Sequence, residues 1–350
     1  RHYVYKIKKS VDFGFLDFST LEKRQRFCEE EVRLNRRLAP SLYLDVIPIF
    51  GPPHKATMGG SGEVIEYAVK MLQFDVQDTF DNLLLRDKLT PALIAETAEV
   101  MARFHANISV ADETSPFGTA KAIQQPTIEN FDQLSKALSE TNLSAIKKDD
   151  IKIQPAIQNM LHVLQEWTVK NHETLISTFD TRKHSGFIRE CHGDLHLRNI
   201  TLWENQVTPF DCIEFNDNLR WIDVISELAF LLMDLDDHRQ PALSRQLLNH
   251  YLSLTGDYDG LRVLRYYQVY RAMVRAKVAG LRLGQIETQS AEETTQQLKE
   301  ISNYLHLAMD YTQPHPPALI ITHGLSGSGK TYFSKKILLA ADIIHLRSDV

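Results

Sequence analysis

The run HYVYKIK (2–8) is rich in β-formers and predicts a strand, with Lys6 and Lys8 on one face at period two. Ser19, with Glu22 three residues later in capping-box spacing, opens a helix predicted to run to Leu38, before Pro40. On that helix Phe27, Cys28, Leu34 and Leu38 mark one apolar stripe, and Glu31 falls inside it. Two strand-like runs follow, DVIPIF (45–50) and EVIEYAVKMLQF (63–74), joined across the hairpin-like turn MGGSG. From about Asp78 to about His184 the pattern is helical. ECHGDLHLRNITLWENQVTPFDCIEF (190–215) then reads as strand, loop and short strands, and helices resume from Trp221 to about Met309. YTQPHPP (311–317), with three prolines in seven residues, predicts a semi-rigid linker. Beyond it ALIIT (318–322) predicts a short buried strand, followed by a Gly-rich loop, a helix and a second strand, IIHL (343–346).

Composition narrows the classes. A chain of 350 residues with 43% apolar and 24% charged residues has material for two or three globular domains. A net charge of −6 gives no reason to expect nucleic acid as a partner. Cys28, Cys191 and Cys212 form no C-x-x-C pair, which argues against a zinc site or disulfide framework and makes a reducing cytoplasm the expected location. The longest clean apolar run, LAFLLM (228–233), is too short to span a bilayer, so no membrane is expected. The chain opens on Arg1 rather than Met and reads as a fragment cut at both ends. Nothing in it sets an oligomeric state.

Two stretches carry recognisable chemistry. GLSGSGKT (324–331) has the spacing G-x-x-x-x-G-K-[ST], in which backbone N–H groups cradle nucleotide phosphates. Gly324, Gly327 and Gly329 would supply the cradle, Lys330 would reach the outer phosphates, and the Thr331 hydroxyl would ligate Mg²⁺. A single strand–loop–helix–strand unit cannot bury both faces of a parallel sheet, so this domain is expected to continue beyond Val350. CHGDLHLRN (191–199) places His192, Asp194 and Asn199 in the spacing H-x-D-x-x-x-x-N, and Asp211 follows twelve residues later. In a kinase catalytic loop such an Asp accepts the substrate hydroxyl proton, while the Asn and the later Asp hold Mg²⁺ on the phosphates of ATP. Phosphoryl transfer asks mainly for positioned charge, which this spacing supplies. The competing interpretation makes His192, His196 and Asp194 metal ligands, but Gly193 argues for a loop and no further ligand is suitably spaced.

An inward carboxylate at Glu31 needs a cationic partner, and the preceding strand offers Lys6, with Lys8 on the same face. A strand Lys paired with a helix Glu holds the α- and β-phosphates in a kinase. The alternative is a solvated Glu31 at the stripe's edge, like Glu29 and Glu30; beside the HGD loop the pair is the better reading. DFG at Asp12–Gly14 lies upstream of both helix and loop, where the metal-binding Asp cannot be, and predicts a turn.

HGDLHLRN with FD twelve residues on resembles the aminoglycoside phosphotransferase and choline-kinase-like family. The order YKIKK, DFGFLDFST, FCEEEVRLNRRLAP, HGDLHLRNI, a Pro-rich joint and a Walker A loop resembles a bacterial branch fused to a C-terminal P-loop ATPase or kinase domain. The resemblance covers essentially the whole chain. It implies an α+β, protein-kinase-like two-lobe fold, with a small β-rich N-lobe (1–76) and a mostly helical C-lobe carrying the catalytic loop (77–310). A linker (311–317) and the start of a P-loop α/β domain (318–350) would follow. It implies Asp194 as catalytic base, Asn199 and Asp211 as Mg²⁺ ligands, and Lys6 with Glu31 as the phosphate-positioning pair, with ATP and Mg²⁺ as cofactors. Asp223 is either a support for the catalytic loop or a charge at a helix N-terminus.

About ten residues separate Asp211 from the helix expected near Trp221, which leaves no room for a peptide-binding activation segment, and no A-P-E follows. A small-molecule hydroxyl acceptor is therefore expected. Arg271, Arg275 and Arg282 share one helical face, either solvated or facing an anionic acceptor; Asp234, Asp236 and Asp237 could meet a polycationic aminoglycoside, but read rather as a solvated helix end. RSD (347–349) after the second strand resembles small P-loop kinases, a likeness that implies Asp349 facing the phosphoryl acceptor of the P-loop domain. The alternatives are a nucleotide-binding regulatory protein with a weakly active kinase-like domain, or a P-loop small-molecule or polynucleotide-type kinase as the main activity.

Overall fold

The computed structural model describes residues 2–12, 14, 16–140, 153–284, 291–314 and 316–346. It divides into two compact units, Arg1–Val110 with Arg189–Ile222, and Ala111–Ile188 with Asp223–Val350. The predicted Asp349 falls outside the described residues.

The first unit is built on an antiparallel sheet of β1 (Tyr3–Ile7), β2 (Tyr43–Phe50), β3 (Thr57–Met58) and β4 (Val64–Leu72), in the order β1-β4-β2-β3. Helix α1 (Leu21–Asn35) covers β2 and β4, and Cys28, Val32, Leu42, Tyr43, Val69, Met71 and Leu72 form the core between them. The predicted cap is displaced by one residue. Ser19 turns its hydroxyl to Asp17 (2.6 Å), and Thr20 caps α1 by accepting from the Lys23 N–H at 3.3 Å. The helix ends at Asn35 rather than Leu38, because the Asn35 carbonyl accepts from both Leu38 and Ala39 in a closing turn. The rest of this unit comprises α2 (Phe80–Leu85), α3 (Pro91–Asn107), the hairpin β6 (Ile200–Trp203) and β7 (Gln206–Pro209), and α6 (Asp217–Arg220). Short strands β5 (Ile188–Glu190) and β8 (Trp221–Asp223) stand at the boundaries between units.

The second unit is helical: α4 (Ala120–Glu140), α5 (Ile153–His184), α7 (Val224–Asp237), α8 (Pro241–Thr255), α9 (Leu261–Gly284), α10 (Ala291–Thr312) and α11 (Lys330–Ala340). Its core gathers Phe131, Leu134, Leu164, Phe230, Met273 and Ile301 from five of these helices. Asp223 caps α7, accepting from the Ile225 N–H at 2.8 Å, so the helix-terminus reading of this residue is the one observed. The three arginines of α9 do not share a solvated face. Arg271 is 4% exposed and donates to the Ser226 carbonyl, Arg275 donates to the Tyr304 hydroxyl, and Arg282 is exposed.

The acidic end of α7 is not solvated either, since Asp234 is 2% exposed. Burial pushes the Asp236 carboxyl up to about 6, against the hydrogen bonds of Tyr311 and Ser244. A carboxyl raised in the folded state stabilises the fold most at low pH and loses that contribution as pH rises through about 6. Asp236→Asn is therefore expected to raise the melting temperature at pH 7.5, by at most about 3 kcal/mol of stability, and to change it little at pH 4. Thermal melts of both proteins at the two pH values check this; equal effects would count against a protonated Asp236.

The predicted strands at 318–322 and 343–346 are not strands. Leu319, Ile320 and Ile321 are 84%, 62% and 78% exposed, because no strand among the described residues offers them a hydrogen-bonding edge. The 343–345 backbone is held instead by one side chain. Asn249 of α8 donates to the Ile343 carbonyl (3.0 Å) and accepts from the His345 N–H (2.7 Å), as a neighbouring strand would.

Candidate active site

All the residues assigned to the HGD-type site lie in the first unit. Gly193 has φ +90°, and a Cβ there would meet the Leu219 carbonyl oxygen at 2.8 Å, so the loop requires glycine at this position. His192 is fully buried. Its Nε2 faces the Phe210 carbonyl at 2.7 Å and its Nδ1 faces the Asp194 N–H at 3.3 Å. Both ring nitrogens are thus turned to backbone, which removes the reading of His192 as a metal ligand. The ring ties the start of the loop to the residue before Asp211.

Asn199 follows a short turn and donates through Nδ2 to both the Asp194 carbonyl (3.0 Å) and Asp194 Oδ2 (2.9 Å). His196 Nε2 lies 3.3 Å from the same Oδ2. Asp194 is therefore oriented from two sides while its side chain remains 36% exposed. Asp211 sits at φ +66°, a conformation uncommon outside glycine and a marker of local strain. It is held there by its neighbours: the Tyr43 hydroxyl accepts from the Asp211 N–H (3.1 Å) and Asn35 Oδ1 accepts from the Cys212 N–H (2.9 Å).

Strand β1 brings Lys6 to Asp211 across 205 residues of sequence. Lys6 Nζ lies 2.6 Å from Asp211 Oδ1 and 2.9 Å from Glu31 Oε1. The Glu31 contact is an ion pair without hydrogen-bond alignment. Burial works against the Lys6 ammonium, but Asp211 and then Glu31 outweigh it and hold its pKa well above the usual lysine value. The sequence pairing of Lys6 with Glu31 is thus present as a contact, with Asp211 as a further partner.

Lys8 was visible in sequence only as a same-face neighbour. It is buried, bonded to Glu31 Oε2 (2.6 Å) and to Glu214, and lies 4.9 Å from the centre of the Phe18 ring. Glu214 itself was missed; its one signal was a charge inside the apolar run CIEF. Burial pushes its carboxyl up, Lys8 opposes this, and the Glu31 charge adds to the rise. A second missed group surrounds Glu190. Arg33 (2.6 Å), Arg37 (3.2 Å) and Arg220 (3.4 Å) reach its carboxylate, and Arg37 also donates to the Glu190 and Cys191 carbonyls. Burial alone would raise the Glu190 carboxyl; the Arg33 hydrogen bond and the charges of Arg37 and Arg220 keep it below the usual range.

The side-chain oxygens of Asn199 and Asp211 are the donor type that Mg²⁺ takes, and Asp211 is 42% exposed, so these two residues suit that ion. Of the DFG residues, Asp12 and Gly14 lie elsewhere, with the Gly14 N–H donating to Asp12 Oδ1 (2.8 Å).

In the second unit, Gly324, Gly327 and Gly329 lie in one loop, and Lys330 and Thr331 begin the helix α11 that follows it. Gly329 caps the helix at φ +84°, which suits glycine. Lys330 Nζ folds back onto the carbonyls of Gly324 (2.7 Å) and Leu325 (2.8 Å), and Thr331 is exposed.

No protein-family model matches the chain. An uncharacterized protein of Mycobacterium tuberculosis strain H37Rv is 28% identical over 342 residues, 97% of this chain and 63% of its own length. Proteins of M. tuberculosis strain CDC 1551 and of M. bovis, also uncharacterized, match to the same degree. The chain thus spans 63% of the length of these relatives. Among solved structures, a choline kinase of Cryptosporidium parvum superposes with a TM-score of 0.49 at 13% identity, over 88% of this chain and 82% of its own. An ethanolamine kinase of Plasmodium vivax gives 0.45 at 9% identity, over 85% and 82%. An ADP-bound aminoglycoside phosphotransferase gives 0.44 at 14% identity, over 87% and 88%. Superpositions this loose assign neither a residue role nor a substrate.

Proposed function

We propose that the chain is an ATP-dependent phosphotransferase acting on the hydroxyl group of a small molecule. The observation that carries this reading is the convergence of Lys6, Glu31, Asp194, Asn199 and Asp211 from distant parts of the sequence into one unit. There Lys6 touches two carboxylates and Asn199 holds the Asp194 carboxylate. In the reaction Asp194 takes the proton of the acceptor hydroxyl, whose oxygen bonds to the γ-phosphorus of ATP as the bond to ADP breaks. Lys6, held by Glu31, positions the α- and β-phosphates. Asn199 and Asp211 would hold Mg²⁺, which when bound offsets the charge on the phosphate oxygens. Gly193 and the Asn35 and Tyr43 contacts fix the loop and Asp211, so that little reorganisation remains at the moment of transfer.

The short segment after Asp211 favours a small-molecule acceptor over a peptide, and the resemblance of the HGD loop makes amino alcohols and aminoglycosides the acceptors to try first. The test is ADP release by the full-length protein with Mg·ATP and a panel of such acceptors. Acceptor-stimulated release, with a phosphorylated product seen by mass spectrometry, supports the reading. Nucleotide binding with no stimulation by any hydroxyl compound would favour a regulatory nucleotide-binding protein instead.

The loop 324–331 is a second proposed nucleotide site, supported by its motif and by the helix that starts at Lys330. Its Lys330 would have to leave the carbonyls of Gly324 and Leu325 to reach phosphate. Calorimetry on the full-length protein is expected to count two ATP molecules, and Lys330→Ala to leave one. A native stoichiometry of one, abolished equally by Lys330→Ala and Lys6→Met, would mean a single composite site.

A further inference from the structure

The ion pairs around Glu31 form one alternating chain: Asp211, Lys6, Glu31, Lys8, Glu214. Its two ends lie on the same segment, three residues apart. Exposure divides it into unlike halves. The Lys6 and Asp211 side chains are each 42% exposed, whereas Lys8 is 3%, Glu31 0% and Glu214 7% exposed. Resting on the phosphotransferase reading, we propose that Lys8 and Glu214 are positioning residues. They form a permanent buried staple that keeps Glu31 and the 211–214 segment in place while Lys6 and Asp211 exchange their mutual contact for phosphate and metal.

In the proposed reaction Asp211 would turn its oxygens to Mg²⁺ and Lys6 its ammonium to phosphate, so the Lys6–Asp211 contact is the one that ligand binding would exchange. Glu31 is fully buried between Lys6 and Lys8, and a buried carboxylate without a cationic partner is costly. With Lys6 alone, any loosening of the Lys6–Glu31 contact as Lys6 turns to phosphate would leave a buried carboxylate underpaired, and full loss of its partner costs several kcal/mol. Lys8 removes that conflict, because its bond to Glu31 Oε2 (2.6 Å) is independent of the Lys6 contact at Oε1. It also separates two buried carboxylates, Glu31 and Glu214, that would otherwise repel and drive the 211–214 segment off the strand. The Phe18 ring 4.9 Å away helps fix the ammonium. At 3% exposure Lys8 is in no position to touch a ligand itself.

The test measures Mg·ATP binding to the full-length protein by calorimetry, in a Lys330→Ala background that isolates the first site, beside melting without nucleotide. Lys6→Met, the reference, is expected to weaken binding at least about tenfold with little change in melting. Lys8→Met is expected to weaken binding about tenfold and to lower the melting temperature. The joint substitution Lys8→Met with Glu214→Leu replaces the pair with apolar groups; it is expected to restore melting but not binding, a split that a merely structural role would not give. Should Lys8→Met fail to fold, Glu214→Gln carries the test, with binding weakened about fivefold. Native-like binding by folded Lys8→Met, or recovery of binding in the joint variant, overturns the proposal and leaves the phosphotransferase reading standing. Loss of binding in Lys8→Met with none in Glu214→Gln overturns it too, since Lys8 would then itself be the phosphate ligand. If the native first site binds no Mg·ATP, the phosphotransferase reading falls and this proposal with it.

Discussion

Asp194→Asn in the full-length protein is expected to lower acceptor-dependent phosphoryl transfer by about 10²–10⁴-fold, the range a positioned general base contributes. Mg·ATP should still bind. The substitution keeps the size of the side chain, and an Asn oxygen can still accept from Asn199 Nδ2, which now lies 2.9 Å from Asp194 Oδ2. Loop geometry is therefore retained, and the carboxylate that would take the hydroxyl proton is what goes. His196 lies 3.3 Å from the same oxygen and does not replace it, because its ring is 90% covered and braced against Asp194. The experiment compares ADP release with and without acceptor, and nucleotide affinity in parallel. Turnover unchanged in Asp194→Asn when Lys330→Ala is also present would remove Asp194 from the chemistry.

The local devices of the first unit were legible because each leaves a mark within a few residues. Helix α1 announces itself through its apolar stripe, and Glu31 inside that stripe asked for a cation, which the structure supplies from β1. The hairpin-like glycines between the strands likewise report on backbone that nearby residues constrain, whereas Gly193 marks a loop whose close contact, the Leu219 carbonyl, comes from elsewhere in the chain. Glu190 left no such mark, and Glu214 left only a charge inside the short apolar run CIEF. Their burial depends on Lys8 and on three arginines from other elements, so no window of the sequence distinguishes them from solvated acids. Arg271 was misread for a related reason: α9 is covered on several sides, so sharing a face with Arg275 and Arg282 says nothing about water. The strands expected at 318–322 and 343–346 depend on an edge to pair with, a property of neighbours rather than of ALIIT or IIHL. Their apolar composition was legible; their hydrogen-bonding partners were not.

Arg182→Met is expected to destabilise the helical unit by about 3–5 kcal/mol, the cost of breaking a buried ion group by removing one side of it. Arg182 is 3% exposed and donates to Asp223 at 2.6 and 2.8 Å and to Asp257 at 2.8 Å through two nitrogens. Its guanidinium also lies 4.2 Å from the centre of the Phe187 ring. Without it two carboxylates remain buried side by side, each already committed as a cap: Asp223 to the Ile225 N–H and Asp257 to the Gly260 N–H. Neither can turn to water without giving up its cap. Burial and mutual repulsion would then raise both carboxyls above their unfolded value, so the variant's stability falls as pH rises through the raised values. The deficit should accordingly be larger at pH 8 than at pH 5, as urea unfolding at the two pH values would record. Adding Asp223→Asn and Asp257→Asn keeps both caps, since Asn serves there as well as Asp, and removes the charges that lost their partner. The triple variant should recover most of the loss at pH 8. A deficit under about 1 kcal/mol for Arg182→Met, as for a surface pair, would mean that the three groups do not share a buried site.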